Sequence, residues 1–539
     1  MKSSHSFRLT LVSALIMASS ATALAQQANT EAALSSGIGN QPTAVSSSAG
    51  GMGPMQASGR AWSIQPRLSA TMTATDNGRV GGNAKKDSDL ITELAPGVRI
   101  EARSARLRGY FDYALRGQHY LNNSYSRTQN YLNAFGTLEA LEDWLFIDAS
   151  GIISQQSISA FGTQSSDSLR NDNSTETATY RLSPYIRGKL GPAVDYQLRY
   201  SISTTRADAS SASDVDISQW VGRLGGSTPF RNLQWSIDAN RQSTDYSSGR
   251  QTDADLLRAM ATYSITPQFR ISASGGWERN NYASLDQENR STHGYGFDWN
   301  PTPRTQVSAF KESRFFGDGH RFSFNHRFPM SSIRYTDTKD VSVLPNQFTA
   351  TGIDANLAQI QSLAVQVCTL LLGTGAPQSQ IDSCVAQFLG PNFTTQVTSS
   401  FLASQARLQR QQQLAFVLYG ARNSLSLQLH RSESSSFLAA AVVDDFSQST
   451  VIRQNGLSLA FSHRLSPLSS LNATANRQQS TGQGLGGNLK TTTTAYIVSA
   501  TTKLGAKTTG SLSLRHTDFD SNTNPYTENA LVGTITYTY

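Results

Sequence analysis

The sequence predicts an all-β fold, a transmembrane antiparallel β-barrel of about 22 strands (range about 20–22) with a helical hairpin insert in one extracellular loop. Three observations lead to this fold class. The chain ends in an alternating strand whose last residue is aromatic, and it begins with a secretory signal. Between these ends lie alternating segments joined by connections that are short and long in turn. We expect such a chain to reside in the outer membrane of a bacterial cell.

The last residues, 528–539, read E-N-A-L-V-G-T-I-T-Y-T-Y. Strand side chains alternate between two sides, so one side collects the apolar and aromatic residues and the other side collects mainly Thr. This pattern is typical of the signal by which the barrel-assembly machinery recognises outer-membrane barrels. It could also form the edge of a soluble sandwich, although soluble proteins avoid apolar residues on a free edge. The predicted assembly signal comprises Leu531, Gly533, Ile535, Tyr537 and Tyr539.

The amino terminus has the features of an exported protein. A basic start, a short apolar segment and the cleavage site A-L-A at 23–25 identify residues 1–25 as a signal peptide. Its removal takes two basic residues, so the formal net charge falls from +7 to +5. Residues 26–60 are rich in Ala, Ser, Gly and Gln and predict a flexible mature terminus. At about 35 residues, this terminus is too short to form a plug domain.

Residues 61–539 carry the composition and the alternation expected of a barrel. The mean hydropathy is −0.36, yet the chain contains 19 Tyr and 23 Phe. A membrane barrel combines these properties because alternate residues face lipid while the others face a wet lumen. A soluble protein of this size would usually show several continuous apolar runs instead. The clearest alternating segments are residues 106–116, 194–202, 233–240 and 424–430.

The connections between these segments alternate in length. Bacterial barrels have short periplasmic turns and longer extracellular loops, and their two chain ends lie on the periplasmic side. The short connections therefore predict the periplasmic end of the barrel. They lie near Ser104, Leu141, Gly191, Pro229, Pro267, Pro301, Phe328, Gly420, Ser466 and Gly505.

Residues 345–405 interrupt the strand pattern and predict a loop insert with two short helices. Apolar residues recur every three or four positions over 353–371, and a second short segment follows Pro377. Cys368 and Cys384 lie one on each predicted helix, so an antiparallel hairpin could join them in a disulfide after export. The hairpin is either a surface cap that packs on itself or a segment that folds into the barrel mouth and narrows the lumen.

Charged residues at inward positions predict the chemistry of the lumen. One hypothesis is that Arg and acidic residues form ion pairs with each other along the wall. The other is that an excess of Arg makes the lumen selective for anionic solutes, such as an acidic polysaccharide. The candidate lumen-facing residues are Arg106, Arg108, Asp112, Arg199, Arg270, Arg321 and Arg327.

No catalytic set is recognisable. The His residues are scattered, and the chain contains neither G-x-S-x-G nor H-E-x-x-H. Asp444 and Asp445 could bind a cation, but adjacent acids in an outer loop are more often solvated. We therefore expect no enzyme activity, no metal, no cofactor and no nucleic-acid partner.

Several stretches resemble the outer-membrane β-barrel proteins associated with PEP-CTERM/exosortase loci. The resemblance implies a place in the outer membrane and an association with exopolysaccharide production and exosortase sorting, but it supplies no active site. The stretches are T-A-T-D-N (73–77), L-I-T-E-L-A-P-G-V-R-I (90–100), F-I-D-A-S-G-I-I-S-Q-Q (146–156), R-L-S-P-Y-I-R (181–187), W-N-P-T-P-R-T (299–305), R-F-F-G (314–317) and Y-G-A-R-N-S-L-S-L (419–427).

Three functional hypotheses follow. The first is a pore or scaffold for exopolysaccharide export or surface sorting, and the second is a general diffusion porin for small solutes. The third is a structural barrel without transport. The expected partners are outer-membrane lipid, the barrel-assembly machinery and, under the first hypothesis, exopolysaccharide or periplasmic export components.

Overall fold

The computed structural model describes residues 62–80, 86–122, 125–230, 232–344, 401–438, 444–484 and 489–539. The predicted signal peptide (1–25), the flexible terminus (26–60) and most of the loop insert lie outside these residues. The predicted disulfide between Cys368 and Cys384 also lies outside them, as do the two predicted helices. These expectations therefore remain predictions.

The described chain consists almost entirely of strands. Their bounds, with one short helix, are β1 (Trp62–Thr75), β2 (Arg79–Val80), β3 (Asp89–Arg103), β4 (Leu107–Tyr120), β5 (Tyr125–Leu141), β6 (Leu145–Ser157), β7 (Arg170–Asn171), β8 (Ser174–Leu190), β9 (Val194–Ala207), β10 (Val215–Ser227), β11 (Leu233–Tyr246), β12 (Thr252–Thr266), β13 (Phe269–Asn280), β14 (Glu288–Thr302), β15 (Thr305–Arg314), β16 (Gly317–Arg327), β17 (Ser331–Ser342), β18 (Arg407–Tyr419), β19 (Asn423–Ser436), α1 (Asp445–Gln448), β20 (Val451–Ser466), β21 (Ser469–Gln483), β22 (Leu489–Lys503), β23 (Thr508–Ser521) and β24 (Tyr526–Thr538).

Twenty-two of these strands form one closed antiparallel sheet. Each strand pairs with its neighbours along the chain, and β1 closes the ring by pairing with β24. The two-residue strands β2 and β7 pair with each other in parallel, outside the ring. The predicted fold class, a transmembrane barrel of about 22 strands, is confirmed.

Closure satisfies the backbone in a medium without water, where an open edge would leave N–H and C=O groups unpaired. The outward side chains form the lipid contact. On β1, for example, Trp62, Ile64 and Met72 point outward and are exposed, whereas Thr73 and Thr75 point inward and are buried. The alternation predicted for residues 107–116, 194–202, 233–240 and 424–430 gives the same division. A closed barrel with this outward apolar surface is an outer-membrane protein.

The connections predicted to be short all lie at one end of the barrel, which we assign to the periplasm together with both ends of the barrel sequence. Tight geometry is needed there. Gly191, in the β8–β9 turn, has a φ of 66°, which glycine adopts without steric cost. Asp143, in the β5–β6 turn, has a φ of 53° and donates its N–H to Glu139 Oε1 at 2.6 Å.

No helix in the described ranges is both long enough and apolar enough to cross a membrane. The helix α1 spans only Asp445–Gln448 and lies in the β19–β20 loop. Asp444 caps it by accepting the Phe446 N–H at 2.9 Å.

Candidate functional site: the lumen wall and its mouth

The inward faces of β23, β24, β1 and β3–β17 form a charged sector, in which Arg and acidic side chains meet across neighbouring strands. Arg67 binds Asp112 through two hydrogen bonds of 2.9 and 2.5 Å. On the closing strands, Arg515 binds the fully buried Glu528 at 2.7 Å. Two-pronged pairs of this kind fix both partners in one geometry, so this part of the wall is rigid.

A second network in the charged sector connects β13, β15 and β17. Arg314 donates to Glu278 Oε2 from Nε at 3.0 Å and from Nη2 at 2.8 Å. The same guanidinium reaches Asp340 at 2.6 Å. The Glu278 side chain is 1% exposed, so its charge depends on Arg314 for compensation.

The predicted lumen residues occupy different places in this sector. Asp112 and Arg199 point inward and are buried; Arg199 binds Asp148 at 2.8 Å and lies over the Tyr185 ring. Arg270 lies 3.7 Å from Asp298. Arg108, Arg321 and Arg327 also occupy inward positions, as their pairing registers with β5 and β17 show.

Arg106 is placed differently from the prediction. It lies in the β3–β4 turn, before β4 begins, and not on the lumen wall. There it pairs with Glu142 of the adjacent turn at 3.4 Å, and both side chains are exposed. Alternation could not place it, because it does not show that β4 begins only at the next residue, Leu107.

The inward faces of β18–β22 form an amide–hydroxyl sector. The inward charges of these strands lie at or near the strand ends, at Arg407, Arg464 and Lys503. Between them, the described inward positions carry no Asp, Glu, Lys or Arg. Neutral hydrogen bonds join them, such as Ser458 Oγ to Asn476 Oδ1 at 2.6 Å. The inward polar residues include Gln409, Gln411, Gln413, Ser424, Ser426, Gln428, Ser432, Ser434, Gln454, Ser458, Ser462, Asn472, Thr474, Asn476, Gln478, Ser480, Thr491, Thr493, Ser499 and Thr501.

Some polar atoms of this sector are buried without a hydrogen-bond partner. They include the Gln409 Nε2, the Ser432 and Ser434 hydroxyls, and both ring nitrogens of His430. Charged residues in the sequence do not reveal this sector, because its inward positions are mainly neutral. The signal was present in the chain, since Gln409, Gln411 and Gln413 recur at every second position.

The extracellular mouth is crossed by residues 158–173, the inward loop, which connects β6 to β8. It reaches strands that are not neighbours of β6 or β8 in the sheet. Thr491 Oγ1 of β22 donates to the Ala160 carbonyl at 3.3 Å, and Tyr526 OH of β24 donates to the Gln164 carbonyl at 2.5 Å. The inward loop therefore lies as a chord across the barrel and narrows its mouth.

The described ends of the long β17–β18 connection also pack inside the mouth. At the first end, the Val343 carbonyl accepts the Tyr246 hydroxyl at 2.6 Å. At the second end, the Leu402 N–H donates to the Ser157 carbonyl at 3.2 Å, next to the inward loop. Phe401 is fully buried in a cluster with Ala160 and Phe446. Both described ends of the connection thus lie on the lumen side of the mouth.

Asp445 joins the β19–β20 loop to the inward loop. Its carboxylate accepts the Ser159 hydroxyl at 2.6 Å and the Ala160 N–H at 2.7 Å. Burial raises the pKa of Asp445 to about 6, against the lowering effect of these two hydrogen bonds. The solvated pair expected from the sequence is wrong here, because the inward loop covers this carboxylate.

The residues of the assembly signal lie on the outward side of β24. Leu531, Ile535 and Tyr537 pair with outward residues of β1, and Gly533 lies opposite Met72. Tyr539 donates its N–H to the Pro66 carbonyl at 2.9 Å. In the closed barrel these residues thus face lipid at the point where β24 pairs with β1.

In the described part of the chain, no group of three His, Cys, Asp or Glu side chains could hold a metal ion.

Comparisons with known proteins add likeness in fold. No protein-family model matches the chain, and no curated protein sequence matches it. Similar solved structures include the siderophore receptor PirA from Acinetobacter baumannii, with a TM-score of 0.49, 6% identity, and coverage of 88% of this chain and 80% of that chain.

Two further solved structures are also similar to this chain. For the FrpB iron transporter from Neisseria meningitidis (F3-3 variant) the TM-score is 0.49 and the identity 11%, covering 89% and 82% of the two chains. For the copper transporter OprC the TM-score is 0.42 and the identity 8%, covering 89% of this chain and 81% of that chain. Scores and identities this low carry no argument about function.

Proposed function

We propose that this barrel is an outer-membrane pore for a polyhydroxylated polymer, and that it serves exopolysaccharide export in an exosortase-associated surface system. The amide–hydroxyl sector carries the proposal. Each sugar hydroxyl donates and accepts hydrogen bonds, as do the amides of Gln and Asn and the hydroxyls of Ser and Thr. A continuous surface of such groups lets a polymer exchange one contact for the next as it moves.

The middle of the β18–β22 inward faces carries no charged side chain, and this favours movement of a polymer over its tight binding. Hydrogen bonds to charged groups are roughly twice as strong as neutral ones, and conduction requires contacts weak enough to release the solute. In the charged sector, by contrast, Arg67, Arg314 and Arg515 are already bound to carboxylates. The polymer would therefore follow the amide–hydroxyl sector.

The inward loop favours a narrowed pore over a general diffusion porin. A 22-stranded barrel is wide enough to need a plug, and the mouth is crossed by the chord from Ala160 to β22. The resemblance to exosortase-associated barrels supports the choice of exopolysaccharide as the polymer.

The test compares the inward face of the amide–hydroxyl sector with the outward face of the same strands in the producing cell. The triple variant Gln428→Ala, Asn472→Ala, Asn476→Ala should lower the amount of polysaccharide at the cell surface several-fold, with the barrel still inserted and heat-modifiable. A matched control, Thr492→Ala with Thr494→Ala, removes two hydroxyls from the outward face of β22 and should leave export unchanged.

Purified protein in planar bilayers supplies the physical readout. Neutral dextran should produce discrete current blocks whose duration falls in the triple variant. A large steady conductance without polymer block would favour the diffusion porin. No conductance, together with normal export in the triple variant, would favour a structural barrel.

We also propose that the barrel-assembly machinery recognises the outward face of β24. Tyr539→Asp should leave the protein in the periplasm, where proteases degrade it, because a charge replaces the terminal aromatic residue. Tyr539→Phe keeps the ring and should assemble normally. Unchanged heat-modifiable barrel in the outer membrane for Tyr539→Asp would contradict the assignment.

A further inference from the structure

A row of basic side chains lies on the outward face of β17–β22, at the extracellular edge of the apolar surface. On β19 the outward residues Leu425, Leu427 and Leu429 are followed by Arg431. On β20 the order is reversed because the strand descends, and Arg453 precedes Leu457. We call this row the basic band; it comprises Lys339, Arg410, Arg431, Arg453, Arg477 and Lys490.

One other part of the barrel, β10–β12, is mainly acidic at the same level. The outward face of β10–β12 carries Asp216, Asp245, Asp253 and Asp255, with Arg241 among them. A general need for polar residues at the membrane edge therefore does not explain the basic band. On β23 the band ends where the outward residues become acidic, at Asp518 and Asp520.

The carboxylates inside the basic band are already engaged. Asp337 binds Arg410 at 2.7 Å. Glu433 binds Arg453 at 2.8 Å and lies 4.0 Å from Arg431. Both acids thus form ion pairs with the cations in the middle of the band.

The remaining cations have no carboxylate within ion-pair distance in the part of the chain that the structure describes. They are Lys339, Arg477 and Lys490. Lys339 also lies directly opposite Arg410 in the β17–β18 register. Like charges in directly opposed positions destabilise a sheet, so an external anion bound between them would offset a repulsion built into the wall.

The level of the band indicates the source of that anion. The band adjoins the apolar belt on the extracellular side, where the headgroups of the outer leaflet lie. Arg binds phosphate through two parallel N–H donors, and Lys binds it as a point charge. We infer that the basic band binds the phosphate groups of a phosphorylated glycolipid in the outer leaflet. This inference is independent of what passes through the lumen.

Native mass spectrometry of the detergent-solubilised barrel tests the inference with bis-phosphorylated lipid A as the probe. The variant Lys339→Gln, Arg477→Gln, Lys490→Gln removes the three cations that lack a carboxylate and keeps the internal pairs. Since a basic residue near an anionic membrane surface contributes a few-fold to ten-fold in affinity, the variant should bind roughly a hundred-fold more weakly.

Two controls make the result specific. Arg206→Gln with Arg241→Gln removes outward cations from the β9–β11 side and should leave lipid A binding unchanged. Dephosphorylated lipid A should bind the wild-type barrel as weakly as lipid A binds the triple variant. Heat modifiability confirms that each variant is folded.

Equal binding of lipid A by the wild type and the triple variant would overturn the inference. Equal binding of the phosphorylated and dephosphorylated lipids would overturn it as well. A wild-type dimer that becomes a monomer in the triple variant, with lipid A still bound, would assign the band to contact with a second copy of the chain and would also overturn it.

Discussion

The charged sector and the amide–hydroxyl sector belong to one sheet, with the same strand geometry, but they solve the problem of a polar wall differently. Arg314 is fixed by two acids from two other strands, whereas Asn476 exchanges a single neutral hydrogen bond with Ser458. Removing one partner of a buried ion pair costs far more than removing one neutral hydrogen bond. The charged sector is therefore suited to holding the barrel in shape, and the amide–hydroxyl sector to contacts that form and break.

The largest expected effect is on stability. Arg314→Met should lower the free energy of unfolding by about 3–5 kcal/mol, because Glu278 then remains as an uncompensated buried charge and the partly exposed Asp340 loses its partner. Asn476→Ala should lower it by only about 0.5–1.5 kcal/mol. Denaturant titrations in lipid micelles, followed by heat modifiability, measure both. Equal losses would show that the two sectors do not differ in rigidity.

The next effect separates the lumen from the lipid within one strand of the amide–hydroxyl sector. Leu427→Arg places a charge on the lipid face and should destabilise the barrel by about 2–4 kcal/mol. Gln428→Arg places the same charge one residue further, on the lumen face, and should fold normally. If Gln428→Arg also failed to insert, the assignment of faces on β19 would be wrong.

The third prediction concerns the loop that meets the amide–hydroxyl sector from above. Burial raises the pKa of Asp445 to about 6 in the closed mouth and also raises that of the adjacent Asp444. Because the closed form binds the proton more tightly than an open one, closure strengthens as pH falls from about 7 to about 5. Conductance of the reconstituted barrel should therefore fall over this range.

Asp445→Asn removes the ionising group and keeps an oxygen that can accept the Ser159 hydroxyl. Its conductance should vary much less between pH 7 and pH 5. A wild-type pH profile retained in Asp445→Asn would assign the dependence to other groups.

The smallest expected effect is on ion selectivity. Arg108→Glu reverses an inward charge near the periplasmic end of the charged sector and should shift the reversal potential toward cations, with the fold unchanged. Arg106→Glu reverses a charge in the exposed turn beside Glu142 and should shift the reversal potential less. Equal shifts would indicate that the pore senses the charge of the whole periplasmic end.

The sequence could predict the barrel because its determinants are local. Alternation with period two divides β4 or β9 into lipid and lumen faces without knowledge of any neighbour. Short turns separate one strand from the next, so the ends of the barrel are also readable. Arg106 shows the limit, since alternation says nothing of the residue at which a strand begins.

The arrangement of the site depends on distant contacts. Whether Arg314 meets Glu278 is decided by the registers of β13, β14 and β15 together. The inward loop has no periodicity, and its place is fixed by partners such as Thr491 and Tyr526, more than 300 residues away along the chain. The sequence contains the pattern of the amide–hydroxyl sector, but the sector can be recognised only when the inward positions of all five strands, β18–β22, are known.

The β1–β24 seam has a consequence for the order of folding. The hydroxyls of Ser69 and Thr536 meet across it at 2.9 Å, and those of Thr71 and Thr534 at 3.0 Å, over separations of 467 and 463 residues. Every other neighbour pair in the ring joins strands that follow one another in the chain. Closing so long a segment of free chain costs about 4 kcal/mol more entropy than closing a hairpin turn. If the intervening hairpins form first, the curvature of the sheet brings its two edge strands together. The entropy of closing the long segment is then lost during hairpin formation and not at the seam. The seam should thus be the last contact made, and until the final strand is delivered the growing sheet keeps two unpaired edges.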